Sequence, residues 1–245
     1  VGTVGLWVAV PLLAPTERAD PSGILYFALA GLVGTTAGRL LRFVSIEQVG
    51  ASVSSALINL YPFVAAGLAI AILGEAVTVP ILAGTAVIVA GTILLSVSGS
   101  LLGFRPSQLV FPFLSAGCFG AVAILRKLGL GGAGPTLGFA INVTTALVAF
   151  TAFLAVTGRL RDLRCERRSV GPLIVAGVFE NLGVLCTILA LRAGSVSVVA
   201  PLAGTTPLFV LALSWIFLRD LESVSVRLVV GTSLIVLGVY LITAL

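Results

Sequence analysis

Glu180 stands in the middle of the apolar run "GPLIVAGVFENLGVLCTILALR", residues 171–192. An ionisable side chain in such surroundings is costly, and so faces a cavity or a partner group. At helical spacing its face carries Ala176, Gly177, Gly183 and Thr187. That small, partly polar stripe suits a protein- or water-facing surface better than lipid. The chemistry on offer is reversible binding of a proton or another cation; the alternative is a structural glutamate hydrogen-bonded between helices.

Other polar residues recur with a period. Gln48, Ser52, Ser55 and Asn59 follow 4-3-4 spacing, which predicts one polar stripe on a helix, ending just before Tyr61 and Pro62. A proline inside a span removes a donor and frees a carbonyl, so the helix is expected to kink at Pro62. The stripe either lines a pathway, with Asn59 and Tyr61 deepest, or bonds to other helices. Thr205, Thr206 and Pro207, with Pro201 upstream, form a comparable group whose two prolines predict a bent or broken helix. Asn142 and Thr145 share a helix face and are further candidates for a cavity wall. The sequon match at Asn142 is set aside, because it falls inside an apolar span. Arg126 and Lys127, at the end of one span, read as snorkelling anchors. Glu75 and Glu222 lie in turns, where capping or an inter-loop contact is expected.

Absences narrow the chemistry. The chain has no histidine, which removes imidazole acid–base catalysis, Ser-His-Asp triads and histidine metal sites. Cys118, Cys165 and Cys186 lack metal-ligand spacing, and the aspartates Asp20, Asp162 and Asp220 lie in loops, so no paired catalytic aspartates arise. No phosphate-binding loop is present. No cofactor and no metal are expected, and an enzyme is not.

The elements that must position these residues follow from composition. Of the 245 residues, 59% are hydrophobic and only 9% charged, with a mean hydropathy of +1.22. Soluble domains carry about 25% charged residues to solvate their surface. A chain this poor in charge needs lipid as its solvent. The net charge of +5 comes from basic residues at the ends of apolar runs, with no interleaved aromatics, which argues against nucleic acid. A bilayer core about 30 Å thick takes roughly 20 apolar residues per helix. The predicted spans are a fragment at 1–14, then 23–44, 49–74, 77–98, 109–127, 135–157, 171–192, 195–218 and 225–245. The chain starts inside an apolar run without a signal-peptide pattern, so the N-terminus is expected to be truncated.

One stretch is written twice. "EAVTVPILAGTAVIVAG" at 75–91 and "ESVSVRLVVGTSLIVLG" at 222–238 align without a gap and share 8 of 17 residues. In each copy two glycines lie seven residues apart, Gly84 and Gly91 in one and Gly231 and Gly238 in the other. That spacing puts each pair on a single helix face, where another backbone can approach closely. The copies close two units, 1–98 and 109–245, the second with five helices. Five is odd, so the second unit enters the membrane upside down relative to the first.

With these residues, "GASVSSALINLYPFVAAGLAIAILGEAVTVPILAGTAVIVAG" resembles the repeat of the drug/metabolite transporter superfamily, EamA family. "GSVSVVAPLAGTTPLFVLALSWIFLRDLESVSVRLVVGTSLIVLG" resembles its second copy, with "LRDLE" in place of the Gly-Glu turn. The resemblance implies an all-α membrane protein of ten helices in two inverted five-helix repeats, about nine of them visible here. It further implies a central cavity lined by the third, fourth, sixth, eighth and ninth helices together with the missing first.

The function expected is secondary active transport of a small organic metabolite by alternating access, coupled to a proton or a counter-solute. The alternatives are a non-transporting membrane sensor or assembly partner and, less well supported, an intramembrane enzyme. The expected setting is the plasma membrane, multi-pass, as a monomer or a homodimer. Orientation has two answers. Five arginines, Arg159, Arg161, Arg164, Arg167 and Arg168, crowd one loop, and the positive-inside rule places it in the cytoplasm. The resemblance implies both termini in the cytoplasm, which is the reverse.

Overall fold

The computed structural model describes residues 2–13, 16–96, 106–159, 167–206, 208–209 and 226–243. Among these residues the secondary structure is helical throughout, apart from an isolated bridge between Ala19 and Ala133. The helices are α1 (Gly2–Leu13), α2 (Pro21–Ala30), α3 (Arg39–Ile58), α4 (Tyr61–Leu68), α5 (Val79–Ser96), α6 (Val110–Gly129), α7 (Pro135–Val156), α8 (Arg167–Ala193), α9 (Val196–Ala203) and α10 (Val226–Thr243). Two π-helical stretches, Gly31–Gly38 and Ala69–Leu73, continue α2 and α4. Among the described residues five helices are long and apolar enough to cross a membrane, and α1, α5 and α10 contribute shorter apolar stretches. Many large apolar side chains, such as Phe179, Phe43 and Val156, lie exposed, as the lipid-facing surface of a membrane protein requires.

Local sequence explains the ends. Pro21 and Pro135 open α2 and α7, where the missing N–H would have had no helical partner. Gly158, with φ 70°, closes α7: its N–H donates to Ala155 O at 3.2 Å and the Arg159 N–H to Leu154 O at 2.8 Å. Only a residue without Cβ takes that left-handed turn cheaply.

One predicted boundary moves. The charged and polar run at residues 45–48 reads as the break between the second and third predicted spans, but the helix carries on through it. Glu47 and Gln48 remain exposed there, so their side chains need no loop. The break falls at Gly50, whose φ 79° and ψ 161° are non-helical. The periodic stripe is therefore cut: Gln48 lies before the break, while Ser55 and Asn59 follow it.

The chain forms two compact units, each assembled from both ends of the sequence. Unit 1 holds Val1–Ala37 and Leu125–Gly194, and unit 2 holds Gly38–Ile124 and Ser195–Leu245. In unit 1, α7 packs on α1, α2 and α8 around a core of Leu6, Phe27, Ala133, Phe139, Ala140 and Ile188. Gly129 and Gly138 make a slot for the Phe27 ring, which is fully buried. In unit 2 the dominant packing joins α5 to α10. A Cβ on Gly84 would stand 2.7 Å from the Gly238 carbonyl oxygen, and one on Gly238 would stand 2.7 Å from that of Gly84. Gly91 and Gly231 oppose each other in the same reciprocal way, at 2.7 and 3.1 Å. The two copies of the repeated stretch thus pair antiparallel, glycine against glycine.

Candidate functional site

Unit 2 brings two interrupted helices together. The first interruption separates α3 from α4. Asn59 and Leu60 have ψ of −1° and −9°, and the helix tightens there, with the Leu60 N–H donating to Leu57 O at 3.2 Å. Pro62 follows in the first turn of α4, so the break lies just ahead of the proline and not at it. The second interruption ends α9 at Gly204 and Thr205, where Thr205 N–H donates to Leu202 O at 3.2 Å and Leu208 N–H to Thr205 O at 2.9 Å. Pro207, the matching proline, lies outside the described residues.

The two breaks touch. A Cβ on Gly204 would stand 3.7 Å from Cγ of Pro62. The Tyr61 hydroxyl donates to Ala200 O at 3.0 Å, an oxygen that already accepts the Gly204 N–H at 3.1 Å. Thr92, buried on α5, donates to Gly204 O at 3.4 Å. That carbonyl is available because the tightened turn sends the Leu208 N–H to residue 205 instead. Thr205 and Thr206 spend their hydroxyls locally, on Leu202 O at 2.7 Å and Ala203 O at 2.9 Å. Thr205 is buried and Thr206 exposed, while Ser55 and Asn59 are half-buried. Irregular backbone of this kind persists at membrane depth only where protein or a water-filled cavity surrounds it.

Unit 1 holds a second polar group. Asn142, 0% exposed on α7, accepts from Nη2 of Arg126 at 3.0 Å through Oδ1 and donates to the Thr35 hydroxyl at 3.5 Å. Lys127 donates to the carbonyls of Leu191 and Gly194, both at 2.6 Å, at the C-terminal end of α8. A helix C-terminus carries partial negative charge, which a lysine complements. Neither cation is a snorkelling anchor in this structure: both reach protein acceptors. Glu180 is exposed on α8, and among the described residues no atom of another element lies within 4 Å of where a Cβ on Gly177 or Gly183 would stand.

Two carboxylates cap helices from a distance. Glu75 accepts from the N–H groups of Val196 at 2.8 Å and Ser197 at 3.0 Å, one on each oxygen. The N-cap residue of α9, Ser195, makes no side-chain cap of its own. Glu17 serves α7 likewise, accepting from Thr136 N–H at 3.4 Å and Leu137 N–H at 2.8 Å, where the N-cap is a glycine. The loop carrying Glu17 is held in place by Asp20 N–H to Gly132 O at 2.7 Å and Gly134 N–H to Arg18 O at 3.2 Å. A full negative charge at a helix N-terminus answers both the unbonded N–H groups and the dipole. Sequence reading missed Glu17 and Thr92. The signal for Glu17 was an acid in a short polar loop; the signal for Thr92 was weaker, one hydroxyl beside a glycine repeat. Glu222 and Asp220 lie outside the described residues, as does Cys165. Among the described residues no group of three or more Cys, Asp or Glu could hold a metal ion.

The comparisons with known proteins agree on architecture. The model of the EamA-like transporter family matches residues 1–97 and 107–244. A solved crystal structure of a protein 17% identical in sequence superposes with a TM-score of 0.68, covering 99% of this chain and 94% of the other. At that identity the likeness concerns the fold. No curated protein matches the sequence.

Proposed function

This chain belongs to the EamA-like transporter family, and from that premise we propose that it is a secondary transporter, moving a small organic metabolite by alternating access between two inverted repeats, 1–98 and 109–245. The observation that carries the reading is the meeting of the two interrupted helices, one from each repeat, at Pro62 and Gly204. Discontinuous helices at a repeat interface are where transporters of this construction bind their solutes. The antiparallel pairing supports the inverted relation: Gly84 meets Gly238, the counterpart of Gly91, and Gly91 meets Gly231, the counterpart of Gly84, the exchange of partners that a two-fold axis demands.

In this reading Ser55, Asn59, Tyr61, Asn142, Thr205 and Thr206 belong to the solute pathway, and Glu180 to the coupling proton or cation. Pro62 and Pro207 are the helix-kink residues, and the protein works in the plasma membrane. The test is reconstitution. Purified protein in liposomes should exchange a preloaded radiolabelled metabolite from a panel of amino acids, sugars, organic acids and amines. Folded, correctly inserted protein that binds a metabolite but drives no exchange of any would sink the proposal and favour a sensor.

A further inference from the structure

By sequence α9 belongs to the second repeat, yet it is assembled into the first. Among the described residues it packs chiefly on α4 and α5, both from the first repeat. Its buried residues are Val196, Ser197, Ala200 and Pro201, spaced i, i+1, i+4 and i+5 on a single face. The helix has only 8 residues, which makes a rod about 12 Å long at 1.5 Å per residue. So short a helix draws its stability from what it touches more than from its own hydrogen bonds.

Polar contacts fasten the same rod along its length, and these too come from the first repeat. At its start the two carboxylate oxygens of Glu75 hold the N–H groups of Val196 and Ser197. In its last turn the Tyr61 hydroxyl donates to Ala200 O, and just beyond it Thr92 donates to Gly204 O. Every one of these contacts meets backbone, so it fixes where the rod lies whatever side chains the rod carries. The turn that presents Glu75 is itself anchored to the stretch continuing α4. Gly74 reverses the chain there with φ 64°, and the Glu75 N–H donates to Ala69 O at 3.2 Å. Towards its own repeat the rod has an interruption at each end. Ser195, extended at φ −78° and ψ 151°, leads in from α8, and the chain passes from one compact unit to the other at that residue. The turn at Gly204 and Thr205 leads out.

We propose that α9 works as a part of the first repeat: Glu75, Tyr61 and Thr92 are positioning residues that hold it to α4 and α5, and it moves with them while the chain bends at Ser195 and at Gly204–Thr205. The solute then meets α4 and α9 as one surface and not as two walls that part. The movement rests on the transporter reading; the fastening does not. Hydrogen exchange on the purified full chain in detergent tests the fastening. E75A/Y61F should speed exchange of the amides at 196–203 together, roughly fivefold or more, the scale of a lost helix cap, and leave α5 unchanged. Should that variant fail to fold, E75Q, which keeps the shape and removes the charge, takes its place. Faster exchange confined to Val196 and Ser197, or no change, overturns the inference. A covalent tie tests the movement, in liposomes with radiolabelled alanine, glucose, succinate and choline as solutes. In a chain with Cys118, Cys165 and Cys186 replaced by alanine, E75C removes the carboxylate. E75C/V196C lets an ethylene-bridged bis-thiosulfonate tie the turn to α9, reversibly with dithiothreitol. E75C should slow exchange severalfold, and the tie should restore it, because the link does what the carboxylate did. Unslowed exchange in E75C, or exchange arrested by the tie and recovered with dithiothreitol, overturns the inference and leaves the transporter. Loosening of α9 as one rod in a protein that exchanges none of the solutes does the reverse: the fastening stands and the transporter falls.

Discussion

Glu180 and Asn142 show how differently two polar residues can be used within the spans of one unit. Asn142 is buried and engaged on both sides of its amide. Glu180 is exposed on a helix face that also carries Gly177 and Gly183, and an exposed carboxyl within a span suits a group that exchanges a proton or cation as its surroundings change. If it does so, Glu180→Gln, which keeps shape and hydrogen bonding but removes the charge, should abolish coupled flux or flatten its dependence on pH. Wild-type flux with an unaltered pH profile in that variant would remove Glu180 from the mechanism. The residue types at these positions were legible in the sequence; their directions were not. A basic pair at the end of an apolar run looks the same whether it snorkels to water or, like Arg126 and Lys127, turns to protein acceptors. Periodicity reports which residues share a face, and says nothing of what that face meets.

At the scale of helices the glycine register was legible and its partner was not. Seven-residue spacing marks a close-packing face on each of two helices, yet only the structure pairs Gly84 with Gly238 and Gly91 with Gly231. The backbones approach so closely that a side chain has nowhere to go. Gly91→Leu or Gly238→Leu should therefore cost at least about 1–3 kcal/mol by overpacking, read as a lower melting temperature and reduced yield in the membrane fraction. Unchanged melting in both variants would mean that α5 and α10 do not meet through these faces. Span positions came from the length of apolar runs, which the bilayer dictates physically. The turn at Gly50 was missed because polar residues inside a run mimic a loop, whereas an exposed Glu47 and Gln48 at a helix end need none. The breaks at Asn59–Leu60 and Gly204–Thr205 precede their prolines by a turn's width; sequence marks the proline, while the backbone yields where carbonyls ahead of it lose their helical donors.

For the molecule as a whole, orientation is the sharpest open choice. Ten of the 14 Lys and Arg residues fall between or near the ends of the predicted spans on one side and four on the other, and short loops rich in arginine resist translocation. The loop at 159–168 is accordingly expected in the cytoplasm. A single cysteine introduced there, in an otherwise cysteine-free variant, should be labelled by an impermeant thiol reagent only after the cells are opened. Labelling of intact cells would establish the opposite arrangement, the one the family resemblance implies.

The carboxylate caps have a further consequence. Glu17 and Glu75 both belong to the first half of the sequence, and both grip helices of the second, α7 and α9; each compact unit likewise draws on both halves. The peptide link between the halves is then a tether, and not what keeps them together. A chain cut by a site-specific protease at a site introduced between residues 98 and 107 should still migrate as one particle in mild detergent. The same two halves made as separate polypeptides should find each other in the membrane, as two subunits would, while either half made alone should be degraded.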